Sequence, residues 1–241
     1  MNIGILVVAY NAESTIEKTL SRIPNDFESK IFSILISDDK SQDLTHKQAL
    51  KFAKNSTLPI EVIVQPRNLG YGGNQKFGYS WAISHGWDLV VLLHADGQYA
   101  PEFLNDIIKP FEDSEVGAVF GSRMINKKNA LRGGMPLYKW IGNQILTLIQ
   151  NKLTSQNLSE WHSGYRAYKV SLLQEIDLNK LSNGFRFDTQ IILEVLKTKS
   201  KIVEVSIPTF YGDEVSHVNG LKYAREIIWD TVKFCLKRSV S

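Results

Sequence analysis

The chain has 241 residues, 43% of them hydrophobic and 22% charged, with a net charge of +3. That composition suits one large soluble domain, or a domain with an appendage, and the charge is too small to argue for a nucleic-acid partner. The single cysteine, Cys235, excludes an internal disulfide framework and any multi-cysteine metal site, which makes the reduced cytosol the expected compartment.

Ile3 to Val8 is an apolar run fit for a central strand, with no basic leader before it, so no signal peptide is expected. Ala9-Tyr10-Asn11-Ala12 breaks the run. Glu13 to Ile23 then carries Ile16, Leu20 and Ile23 at helical spacing. Ile31 to Ile36 predicts a second strand, stopped by Ser37-Asp38-Asp39-Lys40-Ser41, and a helix follows over Leu44 to Lys54. Ile60 to Val64 predicts a third strand, and the loop from Gln65 to Gly73 leads into a helix over Asn74 to His85. Leu89 to Leu93 is apolar throughout, as in a strand buried on both faces, and it gives way to His94, Asp96 and Gln98. In extended chain these three alternate and would point to one side. Pro101 suits a first helical position, and Val116 to Phe120 predicts a fifth strand.

Successive strand–helix units imply a right-handed, mainly parallel α/β sheet. From Gly121 the pattern loosens into a basic, glycine-containing loop over Arg123 to Pro136, with Lys127, Lys128 and Arg132. Helices are predicted over Leu137 to Leu153, Phe187 to Lys197 and Lys222 to Lys237, with a strand at Lys201 to Ile207. No apolar run approaches the ~18 residues that a bilayer-spanning helix needs, so membrane contact would be peripheral.

Parallel strands bring their carboxyl ends to one edge, where open α/β sheets bind ligands. The chain loads that edge with Asn11 and Glu13, with Asp38 and Asp39, and with Asp96. Such residues suit ribose hydroxyls, a base N–H and a metal bound to phosphates. Gly70, Gly72 and Gly73 permit positive φ or close backbone approach. They form neither a P-loop, since no Gly-Lys-Ser/Thr ends the run, nor a dinucleotide fingerprint, which would follow the first strand.

Taken together these motifs resemble family 2 glycosyltransferases with the glycosyltransferase A-type nucleotide-diphospho-sugar transferase fold, most of all the dolichyl-phosphate or polyprenyl-phosphate mannose synthase branch. Ala9-Tyr10-Asn11-Ala12-Glu13 resembles the family's Tyr-Asn-Glu loop, with an alanine inserted. Ser37-Asp38-Asp39-Lys40-Ser41 resembles its Asp-Asp-Gly-Ser element. His94-Ala95-Asp96-Gly97-Gln98 stands where the family carries Asp-x-Asp followed by Gln. Gly121-Ser122-Arg123 and Ser163-Gly164-Tyr165-Arg166 resemble its Gly-Ser-Arg and Ser-Gly-Phe-Arg elements. The resemblance implies donor contacts from Ala9, Tyr10, Asn11, Glu13, Asp38, Asp39, Asn68, Gly70, Ala95 and Asp96. It also implies a divalent metal, Mn or Mg, with Asp96 the chief candidate ligand, Gln98 second and His94 third.

There are departures from the family pattern. His94 replaces the first aspartate of the metal motif; a neutral imidazole suits Mn²⁺ better than Mg²⁺. Glu160 stands where aspartate is common. Gly212-Asp213-Glu214-Val215-Ser216-His217 replaces a late basic segment.

The implied reaction is attack on the anomeric carbon of a nucleotide-diphosphate sugar, with inversion, the departing diphosphate being stabilised by Asp96, a metal and arginines such as Arg123 and Arg132. A lipid-phosphate acceptor needs no strong base, whereas a saccharide hydroxyl in cell-surface polysaccharide assembly needs a carboxylate, with Asp188 and Glu160 the candidates. A third reading is a nucleotide-sugar-binding relative that has lost turnover through His94. Asp188 also reads as a helix N-terminal carboxylate, and Arg166 as a structural partner of Glu160. The catalytic domain is placed at 1–219. A basic amphipathic helix at 220–241 suits either an anionic membrane surface or packing on the domain.

Overall fold

The computed structural model describes residues 1–210 and 219–238. It opens on β1 (Ile3–Ala9), followed by the short helices α1 (Ile16–Leu20) and α2 (Asn25–Glu28) and by β2 (Ile31–Asp38). Next come α3 (Thr45–Asn55), β3 (Ile60–Val64), α4 (Tyr71–Ser84) and β4 (Leu89–His94). A 3₁₀ turn at Pro101–Phe103 runs into α5 (Leu104–Ile108), ahead of β5 (Val116–Ser122), α6 (Lys127–Arg132) and α7 (Leu137–Thr154). The remaining elements are β6 (Arg166–Lys169), α8 (Val170–Gln174), α9 (Phe187–Val195), β7 (Lys201–Ser206) and α10 (Gly220–Arg238). The segment from Gly212 to His217 and the last three residues of the predicted C-terminal helix lie outside the described residues.

The seven strands form one sheet in the order β3-β2-β1-β4-β6-β5-β7. β3, β2, β1 and β4 run parallel, so their carboxyl ends share an edge. β6 is antiparallel to both β4 and β5, and β7 pairs parallel to β5. The sheet is therefore mainly parallel, as the sequence predicts.

Apolar residues of β4 alternate between two cores. Leu89, Val91 and Leu93 face one, with Ile16 and Leu20 of α1, Ala49 of α3 and Leu104 and Ile107 of α5. Val90 and Leu92 face the other, with Tyr79 of α4, Leu172 of α8 and Phe187 and Ile191 of α9. All five are fully buried, each contributing about 1.5–3 kcal/mol relative to exposure. β4 is thus the spine of a three-layer sandwich, and its carboxyl end is rigidly placed.

Several boundaries differ from expectation. α1 starts at Ile16 rather than Glu13, because Glu13 is drawn to the next loop: its carboxylate accepts from Leu44 N at 2.8 Å, at the start of α3. α4 starts at Tyr71, since Gly70 at φ +80° turns the chain directly into the helix. The basic stretch expected as a loop contains α6. α10 packs on α7 and α9 through Ile227, Thr231 and Phe234, with Gln190 Nε2 donating to Asp230 Oδ2 at 2.8 Å. Among the described residues no helix is long and apolar enough to cross a membrane.

Candidate active site

The loops after β1, β2, β3 and β4 meet at the shared edge and are stitched to one another. Asn11, in the left-handed conformation at φ +49°, donates its N–H to Ser41 Oγ at 2.9 Å and accepts from Gln42 N at 2.9 Å. Asp38 accepts from Ser41 N at 2.9 Å, closing its own turn. Lys40 holds φ +64° at the position where the family motif has glycine. Asp39 reaches across to the third loop, accepting from Leu69 N at 2.6 Å and Gly70 N at 3.0 Å. Burial pushes the Asp39 carboxyl up from its usual range, and these two N–H groups offset only part of that. Asn68 Nδ2 donates to the Asp39 carbonyl at 3.1 Å. Ala9 is buried at the end of β1 and Tyr10 is exposed beside it.

The glycines permit a close approach, but to the chain itself. Gly72 N and Gly73 N donate to Asn183 O at 2.7 and 3.2 Å. A methyl on Gly70 would come within 2.7 Å of that same carbonyl, and one on Gly72 within 2.5 Å of Ser182 O. The first turn of α4 therefore spends these amides on the Ser182–Asn183 segment and seats the loop ahead of α9.

Beyond His94 the expected alternation ends. Strand β4 stops there, Ala95 and Asp96 form a turn, and Gly97 takes φ +76°. Asp96 is exposed, accepting from Gln98 N at 3.0 Å. Ala95 is buried, its N–H donating to Val8 O at 3.0 Å. Arg22 Nη1 braces the turn from beneath, donating to Gly97 O at 3.2 Å while Nε donates to Glu102 at 2.7 Å. His94 turns inward instead. Its ring lies 5.6 Å from that of Tyr71 and 5.2 Å, edge-on, from that of Tyr99. Gly164 covers it so closely that a methyl there would sit 2.9 Å from His94 Nε2. Burial holds the imidazole below its ordinary pKa, with Asp96 the foremost charge opposing that shift, so the ring is neutral near pH 7.

Behind this turn lies a buried charged cluster, and it pairs differently from the sequence expectation. Glu160 binds Arg123, not Arg166: Arg123 N donates to Glu160 Oε2 at 2.7 Å, Nε to Oε1 at 3.0 Å, and Nη2 to Oε1. Asn143 Nδ2 adds a bond to Glu160 at 2.7 Å. Burial works to raise the Glu160 pKa, but the Arg123 charge and these bonds outweigh it and hold the carboxyl below its usual range. Arg166 donates to the carbonyls of Ser163, Trp161 and Asp188, and its Nη1 lies 3.7 Å from Asp188 Oδ1. Asp188, in the first turn of α9, accepts from Tyr71 OH at 2.7 Å. Arg123, expected at the donor phosphate, thus takes the partner expected of Arg166, and Arg166 turns to Asp188, because β6 carries Arg166 beneath α9 while β5 delivers Arg123 to the loop before β6.

Polar atoms buried without a hydrogen-bond partner in this region include His94 Nε2, His162 Nε2 and Asp188 Oδ1. His162 Nδ1 lies 3.1 Å from Tyr223 OH of α10, and burial lowers the ring to a pKa of about 4. Tyr99 OH accepts from Gly164 N at 2.7 Å, and burial pushes the phenol up to about 12. Tyr71, Tyr99, His162 and Tyr223 were not singled out in the sequence. Only Tyr99, directly after Gln98, and Tyr71, among the glycines, sit beside motifs that could have flagged them.

Among the described residues no three or more His, Cys, Asp or Glu side chains gather as a metal cage. A divalent ion bound to a diphosphate needs only one or two protein carboxylates, its remaining ligands being phosphate oxygens and water. Exposed Asp96 suits that role, and Gln98 is its half-buried neighbour.

The profile described as Glycosyl transferase family 2 matches residues 4–177, which contain all four edge loops and the Arg123–Glu160 pair. The chain belongs to this family. It is similar to the UDP-N-acetylglucosamine–dolichyl-phosphate N-acetylglucosaminyltransferase of Methanococcus voltae, at 29% identity over 222 residues covering 88% of this chain and 86% of the relative. It is also similar to the undecaprenyl-phosphate mannosyltransferase of Micrococcus luteus, at 27% identity covering 89% and 86%. The fold is shared with glucosyl-3-phosphoglycerate synthase of Mycobacterium tuberculosis, solved with Mn²⁺, uridine-diphosphate-glucose and phosphoglyceric acid. The TM-score is 0.71 at 14% identity, covering 97% of this chain and 79% of that one. This family 2 chain is accordingly a glycosyltransferase of the A-type fold.

Proposed function

We propose that this glycosyltransferase moves a sugar, with inversion, from a nucleotide-diphosphate sugar to a polyprenyl or dolichyl phosphate. The observation that carries the acceptor class is the state of the two candidate bases. Glu160 is consumed by Arg123 and Asn143, and Asp188 by Tyr71 and the nearby Arg166. Glu160 would have to abandon a buried cation and its hydrogen bonds to take a proton from a sugar hydroxyl, and Asp188, whose Oδ1 has no hydrogen-bond partner, would have to give up its charge pairing with Arg166. A phosphate monoester oxygen is ionised already and needs no such base. The named activities of the Methanococcus and Micrococcus relatives, both on polyprenyl-type phosphates, support the same acceptor.

On the donor side, the stitched rim of Asn11, Glu13, Asp38, Asp39, Asn68 and Gly70 would receive the nucleoside. Ala9, Tyr10 and Ala95 would wall it. Asp96, with Gln98 beside it, would hold Mn²⁺ or Mg²⁺ against the diphosphate; bound there, the ion supplies charge stabilisation to the leaving group. His94, neutral and with its Nε2 covered by Gly164, would back the donor site from inside rather than share the metal with Asp96. Arg123 would set the local potential from behind Glu160 rather than by gripping a phosphate.

Incubating the protein with Mn²⁺ and labelled UDP- or GDP-sugars, with undecaprenyl phosphate or an oligosaccharide as acceptor, tests this reading. Label entering the organic phase in an acid-labile phosphodiester is the expected outcome. Label appearing only in oligosaccharide would replace the acceptor, and no transfer from any donor would remove the reading.

A further inference from the structure

Helix α7 is built inside out. Its side toward the protein is polar: Asn143, Thr147, Gln150 and Thr154 are buried at helical spacing. They bond inward there, Asn143 to Glu160 at 2.7 Å, Gln150 through its Nε2 to Thr231 of α10 at 3.3 Å, and Thr154 to the Gln150 carbonyl at 2.7 Å. Its outward side is apolar. Leu137, Tyr138 and Leu148 are 60%, 72% and 68% exposed, and Ile141, Ile145 and Ile149 continue the same stripe. A surface helix ordinarily shows the reverse arrangement, and a contiguous apolar stripe facing water marks an interaction surface.

The charge around the stripe identifies what covers it. Residues 123–159 contain no aspartate or glutamate, whereas the whole chain nearly balances its charges. Lys127, Lys128 and Arg132 are exposed on α6, which is tied to α7 by Trp140 Nε1 donating to the Lys127 carbonyl at 3.1 Å. Ile125 and Leu131 are exposed on the same approach, and Lys152 lies among the apolar residues of α7 as a side chain able to reach upward to headgroups. A symmetric second copy would set this wholly basic stretch against itself.

We propose that the outward face of α7, with the basic rim of α6, docks on the surface of an anionic bilayer. The helix would lie in the plane of the headgroups with its leucines and isoleucines among the upper acyl chains. The inference stands on the faces of α6 and α7 and does not need the lipid-phosphate reading. It differs from the membrane alternative raised for the C-terminal helix, which packs on α7 and α9.

Flotation of the full chain with phosphatidylcholine vesicles, with and without phosphatidylglycerol, tests it. Wild type is expected to float with the anionic vesicles and far less with the neutral ones. Ile141→Glu/Leu148→Glu should lower the partition at least about tenfold, and Lys127→Glu/Lys128→Glu should lower it by a similar factor on anionic vesicles alone. All four positions are exposed, so melting should stay at the wild-type temperature, and should an α7 variant misfold, the α6 pair carries the test. Wild type that does not float, or variants that float equally well, would overturn the proposal. A lipid-free dimer seen by sedimentation, dissolved by Ile141→Glu/Leu148→Glu, would overturn it in favour of a second copy. Flotation is read without donor or acceptor, so its failure and failure of the transfer reading are separate results.

Discussion

Glu160→Gln tests whether Arg123 is a buried structural charge or a substrate contact. The Arg123 and Glu160 side chains are 5% and 0% exposed and share two carboxylate oxygens with a backbone N–H and Asn143. Removing one charge of such a pair leaves the other desolvated, at a cost of about 3–5 kcal/mol. For a chain of this size that lowers the melting temperature by about 6–20 °C. Because Arg123 holds the Glu160 carboxyl low, the pair stabilises fully above the unfolded glutamate value of 4.5 and loses that contribution as pH falls through the depressed folded value. The gap between wild type and variant should therefore be constant near neutrality and close in acid. Adding Arg123→Met should restore most of the stability, since no unpaired charge is left and the glutamine oxygen still accepts the Arg123 N–H. Urea denaturation of the three proteins at several pH values provides the readout. A Glu160→Gln loss under about 1 kcal/mol, or no rescue in the double variant, would refute the buried pairing and return Arg123 to the diphosphate.

Three further outcomes follow from the geometry. His162 is held neutral by burial at a pKa of about 4 against an ordinary 6.5; the unfolded chain binds the proton more tightly, so stability should fall as pH drops from 6.5 towards 4. The contribution is at most about 3 kcal/mol, and His162→Gln should flatten that part of a pH–stability curve. Lys40→Gly should raise stability by about 0.5–1 kcal/mol in chemical denaturation, because φ +64° is strained for lysine and relaxed for glycine. Gly72→Ala should lower it by about 1–3 kcal/mol, its methyl meeting Ser182 O and the Phe187 side chain. Nucleotide affinity should weaken with it if the α4–Asn183 contact shapes the donor rim, which titration with UDP and GDP would read.

The edge that gathers residues 11, 38, 70 and 96 was legible because buried parallel strands announce themselves as apolar runs, and their polar ends must then converge. The fate of individual side chains there was not. Whether Gly70 and Gly72 approach a phosphate or their own chain depends on where Asn183 lies, and that is a contact more than a hundred residues distant in sequence. The partners of Arg123 and Arg166 hinge on β6, a four-residue antiparallel strand of sequence Arg-Ala-Tyr-Lys with too little alternation to be read. His94, Asp96 and Gln98 look equivalent in an extended chain. Gly97 at φ +76° separates them, exposing the aspartate and leaving the histidine inside. The stripe of α7 is visible as periodicity, but only the packing shows that its apolar side is the outer one.

The donor rim and its metal are tested most directly by Asp96→Asn, which keeps the hydrogen bond from Gln98 N while removing the charge. Thermal melting of wild type with UDP or GDP, each with and without Mn²⁺, should show a stabilisation that needs both nucleotide and metal. In Asp96→Asn that shift should vanish and transfer should drop at least about 100-fold, with the ligand-free melt within about 0.5 kcal/mol of wild type because the side chain is exposed. A variant that keeps the Mn²⁺-dependent shift and its turnover would contradict the account at its centre.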